Sequence, residues 1–397
     1  MIVVGGTYVE ECDWPEWKRM MGPGVRAALA VSEVSPASEL YTYSHIDTQS
    51  DLAVTMSASG VKAHVRPTVD RIRFFYKHPL TSPPQKEPDK VPTTSDGPWE
   101  VAGETVLAFG LLEAQVRVNA DRAVFELSRY DEGITRGEVK TLALIATESD
   151  LPDVFKPGVD VRDAAAALMS AWNADLMILR GQAGGGMLFD GEVLHDIPAY
   201  VASEWFKIGA GNVFCAMFAH YWGEKKLHPR DAADLASRSS AYYAGTRALP
   251  MVGQHMLPAM ERFDSSAPCK IFIASPCYSM AQQWLLDQAI ISLENLGVKT
   301  VSPYDLGLDG SLRESTDIAA VLDDCSAVLV LADGADIASI LAVGLARVRK
   351  VPIVVLAEEL KERGRLELWQ GTDCEVARDF ASGVYRAMVA GKRWVRR

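Results

Sequence analysis

Nothing in this sequence reads as a membrane anchor, a disulfide framework or a metal ribbon. Its apolar runs are short: IFIA at 271–274, AVLVLA at 327–332 and VPIVVLA at 351–357. A bilayer-spanning helix needs roughly 20 such residues. The opening MIVVGGTYVEECDWPEW has no basic stretch ahead of an apolar one, so it reads as a buried strand and not a secretory signal. Six cysteines stand without a CxxC pair, and seven histidines without HxH or HxxxH spacing. That excludes a disulfide scaffold and leaves no metal site to name. Positive charge is the minority sign, with 40 Lys and Arg against 52 Asp and Glu, a formal net charge of -12 over 397 residues. No nucleic-acid partner is expected from that balance. The expectation is a soluble cytoplasmic protein with no membrane partner.

What is present is alternation. Strand-like apolar segments and helical ones take turns along most of the chain, the pattern of parallel α/β architecture. MIVVGG is a strand, GPGVRAALAVS (22–32) a turn entering a helix, and DRIRFFYKH (70–78) a further strand. The Pro-, Ser- and charge-rich 81–99 reads as an exposed loop. ETVLAFGLL, AVFELS and LALIATES are successive strands, followed by a helix at 161–172, a strand at 175–181, and helices at 209–222 and 229–248. Residues 249–268, with three prolines, read as a linker between a domain over 1–248 and a second over 269–397. The second restarts with CKIFIASP and runs strand–helix through VPIVVLAE, a smaller doubly wound, Rossmann-like sheet with its ligand expected at the strands' carboxyl ends.

Two groups of residues carry chemistry. Gly209, Ala210 and Gly211 stand directly before a helix. Small residues there admit a ligand to the backbone, and the free amides of a helix start favour an anionic oxygen; the same glycines would also serve simple helix–strand packing. In the second domain, Ser275, Pro276 and Tyr278 follow the first strand, and Asp333 and Asp336 follow AVLVLAD. A strand-end aspartate beside an aromatic ring suits a heterocyclic base and a pentose. Helix capping suits the two aspartates equally well.

Over roughly 1–248 the chain resembles the ribokinase-like (pfkB-type) family of sugar and nucleoside kinases. The resemblance rests on the opening strand with GG, the GPGVRAALA turn, the Glu148 region, LRG with AGGG behind it, and the GAG helix. It implies a ribokinase-like parallel-sheet fold and, for a working kinase, ATP and magnesium. The family's GAG turn ends in an Asp that acts as general base on the attacking hydroxyl; here the position is Asn212, whose amide cannot accept a proton at neutral pH. Glu10 takes the place of a sugar-gripping Asp, Ala27 that of an Asn, and Glu148 that of the acid organising magnesium, its Asn companion falling on Ile145. The resemblance therefore implies a kinase fold without kinase activity, holding a nucleoside, nucleotide or sugar.

Over about 269–360 the chain resembles the nucleoside 2-deoxyribosyltransferase family. Asp336 takes the Asp of that family's strand-end block, Ala338 and Ser339 its Gly-Thr, and Gly344 and Ala346 its second Gly and Ala. The family's nucleophilic Glu falls on Ala342, which implies a diverted site or a Glu→Ala form. The resemblance implies a carboxylate ester to the sugar at position 342, Asp336 assisting the base, and no cofactor for that step. Ser275, Pro276, Tyr278, Asp333 and Ser339 would bind substrate. Together the two resemblances imply a nucleoside- or nucleotide-processing homo-oligomer that cleaves or exchanges an N-glycosidic bond. A non-catalytic sensor with both sites silent is the alternative. A working kinase is the third reading, and it needs another acid, for which Glu204 is the nearest candidate.

Overall fold

The alternation of strands and helices resolves into two separate parallel sheets. A computed structural model describes residues 1–94, 97–128, 133–155, 158–302, 315–334, 336–358, 369 and 374–394. It divides into two compact units, Met1–Arg262 and Phe263–Arg397. Among the described residues, no helix is long and apolar enough to cross a membrane.

In the first unit the chain runs β1 (Ile2–Val4), β2 (Val9–Cys12), β3 (Trp17–Met20), α1 (Gly22–Val31), β4 (Glu39–His45), α2 (Gln49–Ala58), β5 (Lys62–Thr68), β6 (Arg73–Tyr76) and β7 (Gln85–Glu87). It continues with β8 (Trp99–Phe109), β9 (Val116–Glu126), β10 (Ile134–Ala146), α3 (Val161–Trp172), β11 (Leu176–Arg180), β12 (Gly186–Phe189), β13 (Leu194–Ile197), α4 (Ala210–Phe218) and α5 (Pro229–Thr246). Nine strands form one sheet, β13-β12-β11-β10-β9-β8-β1-β4-β5. Its pairs are parallel from β11 to β5, and β12 and β13 add antiparallel edges. A second sheet, β3-β2-β6-β7, has four strands. The stretch expected as loop at 81–99 thus contributes β7, paired with β6.

Strands β8, β9 and β10 are longer than the sequence pattern suggested. Parallel neighbours need a return path, and a straight strand of 11 residues spans about 33 Å. Only residues 110–115 join β8 to β9, a reach of about 25 Å at most. The strands therefore bend, and the ladder marks where. Pairing skips from Gly103↔Ala120 to Thr105↔Arg122, and shifts in β10 between Arg136 and Val139. Before the bend, side chains alternate buried and exposed; after it, nearly every residue is buried. That explains why VLAF, AVF and LALIA were legible as strands while WEVAG and VRVNA were not. Val101, Val106, Val116, Val118, Phe125 and Ile134 share the core inside the bend.

In the second unit five parallel strands stand in the order Lys299–Val301, Lys270–Ala274, Ala327–Leu331, Ile353–Leu356, Glu375–Ala377. The last strand and the closing helix Phe380–Arg393 were not anticipated. Residues 249–268 are tied down: Met251 is fully buried and donates to the Ala30 carbonyl, while Lys392 Nζ donates to the carbonyls of Ser265 and Ala267.

Helix α1 lies directly on the end of β1, because glycine meets glycine there. A Cβ on Gly24 would stand 2.2 Å from the Gly5 carbonyl oxygen, backbone that cannot move aside. Gly24→Ala is therefore expected to destabilise by about 2–4 kcal/mol. Gly344→Ala, on the helix Ile337–Val348 with open space around it, is expected to be neutral or stabilising by up to about 1 kcal/mol. Thermal denaturation of the two variants checks the contrast.

Candidate functional site

Parallel strands end together, and here β9, β10 and β11 deliver Glu126, Thr147 and Arg180 to one edge of the sheet. The GAG turn closes over them. Gly209, in the left-handed region at φ 81°, ends the approach to α4, and the helix starts at Ala210. The turn, the strand ends and Tyr76 of β6 line a cleft of about 290 Å³.

Behind Gly209 and Asn212, which line the cleft, lies an arginine. Arg26 sits on α1 among small apolar residues and is 1% exposed. Its Nη2 is hydrogen-bonded and ion-paired to Glu10 Oε2. Its Nη1 donates to Glu10 Oε1 at 3.0 Å and to Asn212 Oδ1 at 3.1 Å. Its Nε donates to Tyr243 Oη at 3.2 Å, and that hydroxyl passes its own hydrogen to the Ile208 carbonyl. Gly209 lies flat on the guanidinium, where a Cβ would come within 2.0 Å of Nε. Both the positive φ and this close approach require glycine. Glu10, itself buried, also receives the Gly22 amide at 3.2 Å.

The cleft is also lined by two cations, Arg180 and Lys207, and two carboxylates, Glu126 and Asp150. The Arg180 guanidinium lies against Gly211 in the first turn of α4, where a Cβ would stand 2.6 Å from Nη1. Its Nη2 meets Glu126 Oε1 at 3.4 Å, and its Nε is buried without a partner. Burial pushes the Glu126 carboxyl up to about 7, opposed by the Arg180 charge. Lys207 donates to Gln182 Oε1 at 2.5 Å, and Gln182 to Ser149 Oγ at 2.6 Å. Burial, and then the Arg180 charge, hold the Lys207 ammonium down to about 8. Asp150 accepts from Thr147 Oγ1.

Of the residues singled out in the sequence, Gly209, Ala210, Gly211 and Asn212 line this cleft, and Glu10 meets Asn212 through Arg26. Glu148 is exposed, and its neighbours Thr147, Ser149 and Asp150 face the cleft instead. Glu204 is exposed. Arg26, Glu126, Arg180 and Lys207 were missed. A lone charge in the apolar GVRAALAV and a cation at the end of LMILR were the available signals. As for magnesium, Asp150 and Glu126 are each engaged as above, and among the described residues no group of three or more His, Cys, Asp or Glu is placed to hold a metal ion. Glu126 and Asp150 are the two carboxylates that line the cleft.

In the second unit, Tyr278, Asp336 and Ser339 do come together. Tyr278 Oη donates to Asp336 Oδ2 at 2.8 Å, while Asp336 Oδ1 receives Ser339's amide at 2.8 Å and its hydroxyl at 2.7 Å. Asp336 is thus the N-cap of the helix Ile337–Val348. Burial opposes the ionised carboxylate, but these hydrogen bonds outweigh it and lower its pKa. Asp333 receives the Glu358 amide at 2.7 Å, and Ser275, buried, bonds to its neighbour's carbonyl at Pro276. Ala342 is 1% exposed and packs in a core with Ala274, Val328, Val330, Val343 and Ala346. The side chain at 342 faces packed interior.

No protein-family model matches the chain, and no curated protein is similar to it in sequence. Among solved structures it is similar to a pyrophosphate-dependent kinase of the ribokinase family in complex with a pyrophosphate analog and myo-inositol, at 13% identity, 64% of this chain, 98% of that one and TM-score 0.44. It is similar to a fructokinase from Vibrio cholerae O395 in fructose-, ADP- and calcium-bound form, at 11%, 62%, 94% and 0.45. The ribokinase of Thermotoga maritima aligns at 15%, 65%, 95% and 0.44.

Removing the guanidinium leaves Glu10 buried and unpaired. Arg26→Met should therefore cost about 3–5 kcal/mol, and adding Glu10→Gln should restore part of the loss. Chemical denaturation of the single and double variants measures both.

Proposed function

We propose that the first unit is a ribokinase-type fold that keeps a small-molecule cleft and does not transfer phosphoryl groups. The observation that carries this reading is the position of Arg26. In a kinase of the kind the sequence resembles, an acceptor hydroxyl would sit between the residue at 10 and a base at 212. In this chain the guanidinium fills that space and bonds both side chains. Asn212 Oδ1 is committed to Arg26, and its amide takes up no proton. The function proposed is ligand sensing: a sugar-, nucleoside- or nucleotide-related molecule occupies the cleft, and its occupancy is the output. Full-length protein with ATP and a panel of nucleoside and sugar acceptors is expected to show no turnover above background. Asn212→Asp alone is expected to stay silent, because Arg26 would pair with the new carboxylate. ATP turnover dependent on an acceptor by the unaltered chain would overturn the reading.

A glycosidic activity of the second unit has less support. A carboxylate at 342 would enter the core that now encloses Ala342. Ala342→Glu is expected to lower the melting temperature of the protein, corresponding to about 3 kcal/mol or more, and to release no base from nucleosides or nucleotides. Chromatographic detection of free base from that variant would reverse this judgement.

A further inference from the structure

The helix Ile337–Val348 of the second unit is apolar on both sides. On its inner side Ser339, Ala342, Val343 and Ala346 are buried, the last three in the unit's core. Its outer side carries Ile337, Ile340, Leu341, Gly344 and Val348, all exposed, Ile337 and Val348 by 81% each. Positions 337, 341, 344 and 348 are separated by alternating steps of four and three. They therefore fall in one line along the helix, at the spacing by which paired helices interlock. Single exposed apolar side chains are ordinary, but an unbroken row of them marks a contact surface. A helix that is apolar all round is one that is covered all round.

We propose that this row is covered by the same row of a second copy of the chain, the two helices packing antiparallel across a two-fold axis that passes between Leu341 and Gly344. The row is its own complement. A two-fold contact is reciprocal, so each residue meets a counterpart that meets it in turn. With the axis in that place, Leu341 meets the partner's Gly344, Ile337 meets the partner's Val348, and Ile340 meets the partner's Leu345. The one position without a side chain thus receives a large one. A Cβ on Gly344 would find nothing within 4 Å, which leaves room for the leucine. The charges at the two ends of the helix agree with this direction. Asp333 and Asp336 stand at its start, and Arg347, Arg349 and Lys350 at its end. Asp323 pairs with Arg349 and offsets part of that positive charge, while Arg347 and Lys350 are exposed. Antiparallel packing brings each acidic start to a basic end and opposes the two helix dipoles favourably. Parallel packing would set like charge on like.

Sedimentation velocity of the full chain over a concentration series tests the association, with a dimer expected at micromolar concentrations. Leu341→Glu places two carboxylates beside the axis and should weaken dimerisation by about a hundredfold or more. That side chain is exposed in the single chain, and melting curves verify that the variant is folded. A double variant, Ile337→Cys with Val348→Cys, tests the direction of packing. Each new thiol would lie beside its counterpart across the axis, so mild oxidation should link two chains through disulfides. Neither single variant should link, because the two copies of either position stand about 16 Å apart along the helices. The unaltered chain, in which Cys277 and Cys374 are partly exposed, serves as the blank. A chain that stays monomeric up to about 100 µM would overturn the proposal and leave the row to a different protein. So would a folded Leu341→Glu variant that dimerises unchanged, or single-cysteine variants that link as readily as the double one.

Discussion

A single buried guanidinium holds the first unit's cleft in its present form. Arg26 links three elements to its own helix: β2 through Glu10, α4 through Asn212 and α5 through Tyr243. Burying such a pair costs desolvation that the mutual attraction offsets only when geometry is good and the remaining hydrogens are bonded. Here the bonding is met by two glutamate oxygens, an amide oxygen and a phenol. The glycine at 209 exists on these terms, because any side chain there would collide with the guanidinium.

That constraint leaves the cleft bordered by two unlike groups of charges. Around Arg26, the charges of the guanidinium and Glu10 cancel. Across the cleft, Arg180 and Lys207 stand with two carboxylates, Glu126 and Asp150.

How much of this was readable in advance depends on the kind of signal. Helices with a full apolar face, such as α3 over Val161–Trp172, stood out at their observed limits, since periodicity is a local property. The GAG turn was also legible, because positive φ and close approach both demand glycine. Arg26 was not, because ion pairing across separations such as 10 to 26 and 26 to 212 leaves no local trace. Asp336 admitted two readings, base recognition or helix cap, and its bonds to Ser339 realise the cap. Tyr278 on its other oxygen is the one feature that a cap alone does not call for.

The bent strands β8 to β10 have a consequence for how the chain finds its fold. In an ordinary crossover a helix separates parallel neighbours, and about 30 residues intervene between strand starts. Here Trp99 lies beside Val116 and Val116 beside Ile134, so each ladder closes after 17 or 18 positions. Short loops are entropically easier to close than long ones. The centre of the large sheet thus holds its most local parallel pairings, and only the antiparallel edges β11-β12 and β12-β13 close over shorter separations.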